Sequence, residues 1–253
     1  MASAWSENGF AYAPLQSSTA TRLLTILPGE DHTKVQCELS EIDLDDPPAY
    51  TALSYCWGDP SKTERIILND KNVHVTANLV AALRQLRHRD VFFWIDALCI
   101  NQSDVNEKSI QVQKMRTIYE KAEEVIVWLG DGNEQTTSAF ELIRRVWDAW
   151  TYLTITLRKD EDLALAQFGS KYLPVILPEE GGNIDYKSLE HFQDLLLRPW
   201  FERIWVVQEI TRPSNSKTVY CGNEYVIWVA LIIAVKVISN MMVRADLRAS
   251  FKR

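Results

Sequence analysis

Val91-Phe92-Phe93-Trp94-Ile95-Asp96-Ala97-Leu98-Cys99-Ile100-Asn101-Gln102 is the stretch whose reading decides the fold. Its first five residues are β-branched or aromatic without interruption, the composition of a strand buried on both faces, and the run stops at one carboxylate, Asp96. In an open α/β sheet the carboxyl ends of the strands surround the crevice where ligands collect. Asp96, Asn101 and Gln102 therefore fall where a binding site is expected. A plainer reading has Asp96 capping the next helix and Asn101 forming a turn, and from this strand alone both readings stand.

Working outward, Tyr50 to Trp57 reads as a second apolar strand closed by the turn Gly58-Asp59-Pro60, and Val125 to Leu129 as a third, ended at Gly130-Asp131-Gly132. Between them lie two helical patterns. Thr76 opens one that runs from Ala77 to about Arg87 with Leu79, Leu83 and Leu86 on one face, and Ser103 or Asp104 opens another with Val112, Met115, Tyr119 and Ala122 on a stripe. This alternation is the pattern of right-handed crossovers in a parallel sheet. The strands at Leu53, Phe93 and Ile126 are expected to be parallel neighbours, with Trp57, Asp96 and Gly130 at one edge. A hairpin, Arg65 to Leu68 and Val73 to Val75, turns at Asn69-Asp70-Lys71-Asn72.

The flanks are read more coarsely. Residues 1–48 form a loose arm and an antiparallel edge hairpin, Leu23 to Leu27 with Val35 to Leu39; residues 49–222 form the main domain, with an insertion at about 150–187; residues 223–253 carry an apolar helix. Ser138 to Trp150 and Ser188 to Leu197 have helical periodicity. Arg198 to Ile210 reads as a buried helix with Pro199 at its first position and Pro213 past its end. The apolar run Val226 to Val235 falls short of the ~20 residues of a spanning helix. It is expected to be buried, or packed on further chain or a second copy.

Composition excludes some functions. With a net charge of −7 and a pI near 5.2, the chain lacks the Lys and Arg excess that phosphate-backbone binding requires. The four cysteines, Cys37, Cys56, Cys99 and Cys221, make no C-x-x-C pair, and no signal peptide precedes them. Reduced, passive thiols in a cytoplasmic protein are expected, with neither disulfide nor metal site and no membrane span.

Glu209 is the one residue at odds with its surroundings. It falls in the last turn of the expected helix, where the macrodipole disfavours a carboxylate by ~0.3–1 kcal/mol, and burial adds to that cost. An ion pair to Arg203 or Arg212 is one explanation. A carboxylate facing a cleft, with Trp205 one turn earlier on the same face, is the other.

Several separated blocks resemble the fungal heterokaryon-incompatibility (HET) domain: Ala52-Leu53-Ser54-Tyr55-Cys56-Trp57-Gly58, Trp94 through Gln102, Gln111-Val112 with Met115, Ile118-Tyr119 and Ala122, Val125 to Gly130, and Arg198-Pro199-Trp200-Phe201 through Gln208-Glu209. The resemblance implies a role in allorecognition and programmed cell death after fusion of unlike cells, with an allorecognition partner and self-association through the domain. Lys108 stands where such domains often carry Arg. The block order is also similar to that of Toll/interleukin-receptor (TIR) domains, which implies a TIR-like, flavodoxin-like parallel sheet flanked by helices. In enzymatic members of that group the helix glutamate serves cleavage of NAD at the nicotinamide-ribose bond. By that likeness Glu209 is the catalytic candidate, NAD the substrate rather than a resident cofactor, and Ser54, Trp57, Asp59, Asp96, Asn101, Gln102 and Trp205 the candidate lining. The opposed reading is a non-catalytic death-signalling adaptor whose motifs are core and contact surface, and the residues leave both open.

Overall fold

A computed structural model describes residues 10–30, 32–156, 158, 160–167, 179–180, 183–184, 186–203, 209–210 and 216–250. The chain divides into two compact units, one built from residues up to Asp131 together with Pro199–Asn223, the other from Gly132–Arg198 and Glu224 onward.

The first unit is α/β. Its strands are β1 (Ala20–Ile26), β2 (Gln36–Asp43), β3 (Tyr50–Tyr55), β4 (Thr63–Leu68), β5 (Lys71–Thr76), β6 (Phe92–Trp94) and β7 (Glu124–Trp128), with helices α1 (Ala77–Leu86), α2 (Asp96–Cys99) and α3 (Val105–Lys121) between them. β3 pairs in parallel with both β6 and β7, so the three apolar strands are the neighbours their sequences predict. Parallel strands covered on both faces are apolar throughout, and all six residues of β3 are buried. Their carboxyl ends bring Trp57, Asp96 and Gly130 to one end of the sheet.

The sheet is mixed rather than parallel throughout. β1 pairs antiparallel with β2 on one side and with β6 on the other, and β2 continues in parallel to β4, whose hairpin with β5 runs to the border. The N-terminal hairpin is therefore interior, a correction to the edge position expected from sequence. β1 has the burial that suits such a place: Ala20 to Leu24 are buried on successive positions, the pattern of a strand covered on both faces. The border hairpin turns at Asn69 and Asp70, whose φ of 46° and 61° give the left-handed pair that two-residue hairpins favour.

The deciding strand is shorter than its sequence suggests. Phe93, Trp94 and Ile95 are fully buried, but Val91 and Phe92 are 37% and 39% exposed. Immediately after Trp94 the backbone turns into α2, with the Ile95 carbonyl accepting from the amides of Leu98 (3.0 Å) and Cys99 (2.8 Å) rather than from a ladder. Asp104 then caps α3 by accepting from the amides of Asn106 (2.9 Å) and Glu107 (3.0 Å). Arg22 on β1 reaches α3 as a buried bidentate pair with Glu107, Nη1 to Oε1 at 2.6 Å and Nη2 to Oε2 at 2.9 Å.

The second unit is mainly helical. α4 (Glu134–Thr151) opens on a capping box in which the Asn133 side chain accepts from the Thr136 amide and the Thr136 hydroxyl from the Asn133 amide. It is followed by a π-helical turn (Tyr152–Thr156), α5 (Glu161–Gln167), the small hairpin β8 (Glu179–Glu180) and β9 (Asn183–Ile184), and α6 (Tyr186–Leu196). The chain then returns to the first unit, where Pro199–Glu202 is a 3₁₀ turn in place of the first turn of the expected helix, and Arg203 beyond it belongs to no regular element. Residues 204–208 of that expected helix, and 211–215 after it, lie outside the described residues.

β10 (Ser216–Cys221) has no counterpart among the sequence expectations. It pairs in parallel with β7 from Ser216↔Glu124 to Tyr220↔Trp128, so a strand on each side of the Gly132–Arg198 excursion completes the same sheet. Back in the second unit, β11 (Glu224–Ile227) takes the start of the apolar run, and α7 (Trp228–Ser250) takes the rest. Ala230, Leu231, Ala234 and Val237 are buried where α7 packs on α4. That answers the alternatives left by the sequence for this face: a neighbour within the chain covers it. Among the described residues no helix is long and apolar enough to cross a membrane.

Candidate functional site

Two carboxylates stand at the carboxyl end of the parallel strands. Asp96, in the first turn of α2, accepts from Trp57 Nε1 at 2.9 Å through Oδ2 and from the Ala97 amide at 2.7 Å through Oδ1. Gln102 Nε2 donates to the Asp96 carbonyl at 2.8 Å, while its Oε1 is buried without a hydrogen-bond partner among the described residues. The Tyr55 hydroxyl, at the end of β3, is likewise buried and has no hydrogen-bond partner among the described residues. Burial pushes the Asp96 carboxyl above its usual range, and the Trp57 hydrogen bond and the Arg203 charge pull it partly back.

Glu209 is the second carboxylate and is 2% exposed. Ser54 Oγ, near the end of β3, donates to its Oε2 and in turn accepts from Trp200 Nε1 at 2.8 Å. Arg203 approaches from the other side, Nη2 to Oε1 at 3.2 Å and Nη1 to Oε2 at 3.4 Å. Indole, hydroxyl, carboxylate and guanidinium thus form one chain, and both carboxylate oxygens are occupied. Burial raises the Glu209 carboxyl; Arg203 and Ser54 act against it, and Asp96 adds to the rise. Of the two counter-ions the sequence offered, Arg203 is the one in place; Arg212 lies outside the described residues.

The candidate lining separates on this geometry. Ser54, Trp57, Asp96 and Gln102 gather around the strand ends. Asp59 is exposed and its Oδ1 accepts from Ser61, from the amide at 2.9 Å and the hydroxyl at 2.7 Å, which lowers its carboxyl below the usual range and makes it a turn residue. Asn101 likewise caps a turn by accepting from the Ser103 amide at 3.1 Å, and its own amide donates to Glu107 at 2.7 Å. Trp205 lies outside the described residues. Sequence reasoning passed over Trp200 and Tyr55, although both lie inside the quoted blocks; two aromatics carrying polar atoms in apolar runs were the available signal.

Near the site, Tyr119 donates to the Leu53 carbonyl at 3.0 Å and packs edge-on against Trp94 at 5.6 Å. Asn78 on α1 donates to the Cys56 carbonyl at 2.6 Å and accepts from Trp128 Nε1 at 3.0 Å, which ties the ends of β3 and β7 to one amide. Cys37, Cys56, Cys99 and Cys221 are free thiols. Burial pushes Cys99 up to about 12 and leaves it a poor nucleophile. No group of three or more metal-binding side chains occurs among the described residues.

Residues 50–209, from the first residue of β3 to the buried glutamate, match the model of the family described as Heterokaryon incompatibility protein (HET). The chain belongs to the HET family. It is 31% identical over 215 residues to "Heterokaryon incompatibility protein 6, OR allele" of Neurospora crassa, an alignment that takes in 76% of this chain and 32% of that protein. The chain thus spans about a third of the length of that curated relative. No solved structure matches it. That the HET match ends on Glu209 puts both ends of the Ser54–Glu209 contact inside the family region.

Proposed function

We propose that this HET domain is an effector of heterokaryon incompatibility, acting in the cytoplasm, switched by self-association or by an allorecognition partner, and that its active form cleaves NAD at the nicotinamide-ribose bond. The observation that supports the enzymatic reading is Glu209: a carboxylate buried at the carboxyl end of parallel strands and aimed by the Ser54 hydroxyl. Nicotinamide leaves as a neutral molecule, so the chemistry needs no general acid. It needs a fixed negative charge beside an oxocarbenium-like ribose, which a preorganised carboxylate supplies in a dry site at no reorganisation cost. Ser54 fixes the carboxylate from one side. Trp57 and Asp96 furnish a ring and a second acceptor.

A second reading, the non-catalytic adaptor, is favoured by the same carboxylate's burial, since both of its oxygens already have partners. Nicotinamide release from NAD, measured on purified chain over a range of protein concentrations, tests the choice. Release that rises per molecule with concentration is the expected result. Killing on expression in fungal cells with cellular NAD unchanged would overturn the enzymatic reading and leave the adaptor.

A further inference from the structure

Two ion pairs among the described residues of the first unit differ in kind. Arg22 and Glu107 meet at 2.6 and 2.9 Å with side chains 5% and 11% exposed, and the Arg22 fork also donates to the carbonyls of Ala13 (2.7 Å) and Cys99 (3.0 Å). Those distances are the ones a charge-assisted bidentate bond adopts, and that guanidinium is fixed by four acceptors. Arg203 and Glu209 meet at 3.2 and 3.4 Å, longer than such a bond prefers, and the exposure is lopsided: Glu209 is 1% exposed at its side chain and Arg203 is 22% exposed. Of the two partners of the carboxylate, the Ser54 hydroxyl is fully buried and the Arg203 guanidinium is the one that reaches solvent.

A partly exposed guanidinium loosely held against a buried carboxylate has one class of ligand that competes for it well, an oxyanion that presents two oxygens to the fork. We infer that Arg203 is an exchangeable counter-ion, which masks Glu209 in the unliganded chain and transfers to the diphosphate of a dinucleotide substrate. The exchange does two things at once. It binds the anionic part of the substrate, and it uncovers the carboxylate with its charge no longer neutralised. This rests on the proposed NAD chemistry only for the identity of the substrate; the binding step stands apart from turnover.

Inorganic pyrophosphate is the probe, titrated calorimetrically into the full chain and three variants. In the wild type the anion must break the Arg203–Glu209 contact, so binding is weak. Glu209→Gln removes the competitor while keeping the shape, and affinity is expected to rise about tenfold. Arg203→Met is expected to abolish binding, and Arg203→Lys, which keeps the charge without the fork, to retain a part of it. Equal affinities for wild type and Arg203→Met would overturn the inference. If Glu209→Gln does not fold, the Met and Lys variants carry the test alone, because loss in Met with partial retention in Lys still identifies Arg203 as the receptor. Pyrophosphate binding that follows this order in a protein that releases no nicotinamide would refute the NAD reading and leave the exchange intact.

Discussion

Glu209 separates the two functional readings by a single oxygen. Replacing it with Gln keeps the volume and removes the charge, and removal of a comparable preorganised group lowers turnover about 10²–10³-fold. The expected result is that loss in nicotinamide release per folded molecule; unchanged turnover would assign Glu209 to structure. The same variant has a pH signature. A carboxyl raised in the folded state binds protons more readily than in the unfolded chain, so its contribution to stability is complete at acid pH and is lost as pH rises through the raised value. Asp96 has the same sign. Thermal melts from pH 4 upward are therefore expected to show the wild type losing ground to Glu209→Gln as pH increases. A gap that stays constant with pH would place the Glu209 carboxyl at its ordinary value. At Arg22 the expectation is simpler: Arg22→Met leaves Glu107 buried and uncompensated, which costs about 3–5 kcal/mol in denaturant titration.

At the scale of elements, two turns give measurable predictions. The Asn133–Thr136 capping box satisfies donors that the first turn of α4 otherwise leaves open, so Asn133→Ala is expected to cost about 1 kcal/mol. Asp70 holds a φ of 61° that a side chain disfavours, and Asp70→Gly relieves it; a gain of about 0.5–1 kcal/mol is expected in the same titration. The elements also show how far the sequence could be read. β3, β6, β7, α1 and α3 were legible because each carries one strong signal, an unbroken apolar run or a single helical stripe. The interior place of β1 was not legible from local pattern alone, since pairing between Leu24 and Phe93 spans a distance in sequence that no window covers. At the site, Glu209 and Asp96 stood out as charges in apolar runs. Trp200 did not, because an indole in an apolar run looks like core until its Nε1 is seen donating to Ser54. Asp59 and Asn101 drew notice as polar residues after strands and are occupied by turns, a use of Asp and Asn that is local.

For the molecule as a whole, each of the two units has its own buried face, and the second depends on α7. Ala234 is fully buried in that helix, and Ala234→Asp places an unpaired carboxylate among Leu231, Val237 and Ile238. The expected outcome in the full chain is faster proteolysis within residues 132–198 and 224–250, while cleavage within the parallel strands of the first unit is unchanged. Uniform digestion of both regions would mean that the units unfold together.

The pairing of β10 with β7 has a further consequence, for the order in which the chain is made. β7 is complete at Trp128, but the strand that covers its open side begins only at Ser216. At ~5–20 residues per second, ribosomal synthesis leaves that apolar border unpaired for on the order of ten seconds while the excursion is produced. An uncovered strand edge is a template for pairing with another nascent chain. The interval between β7 and β10 is thus the window in which newly made copies are most exposed to mispairing, and lengthening the excursion would widen it.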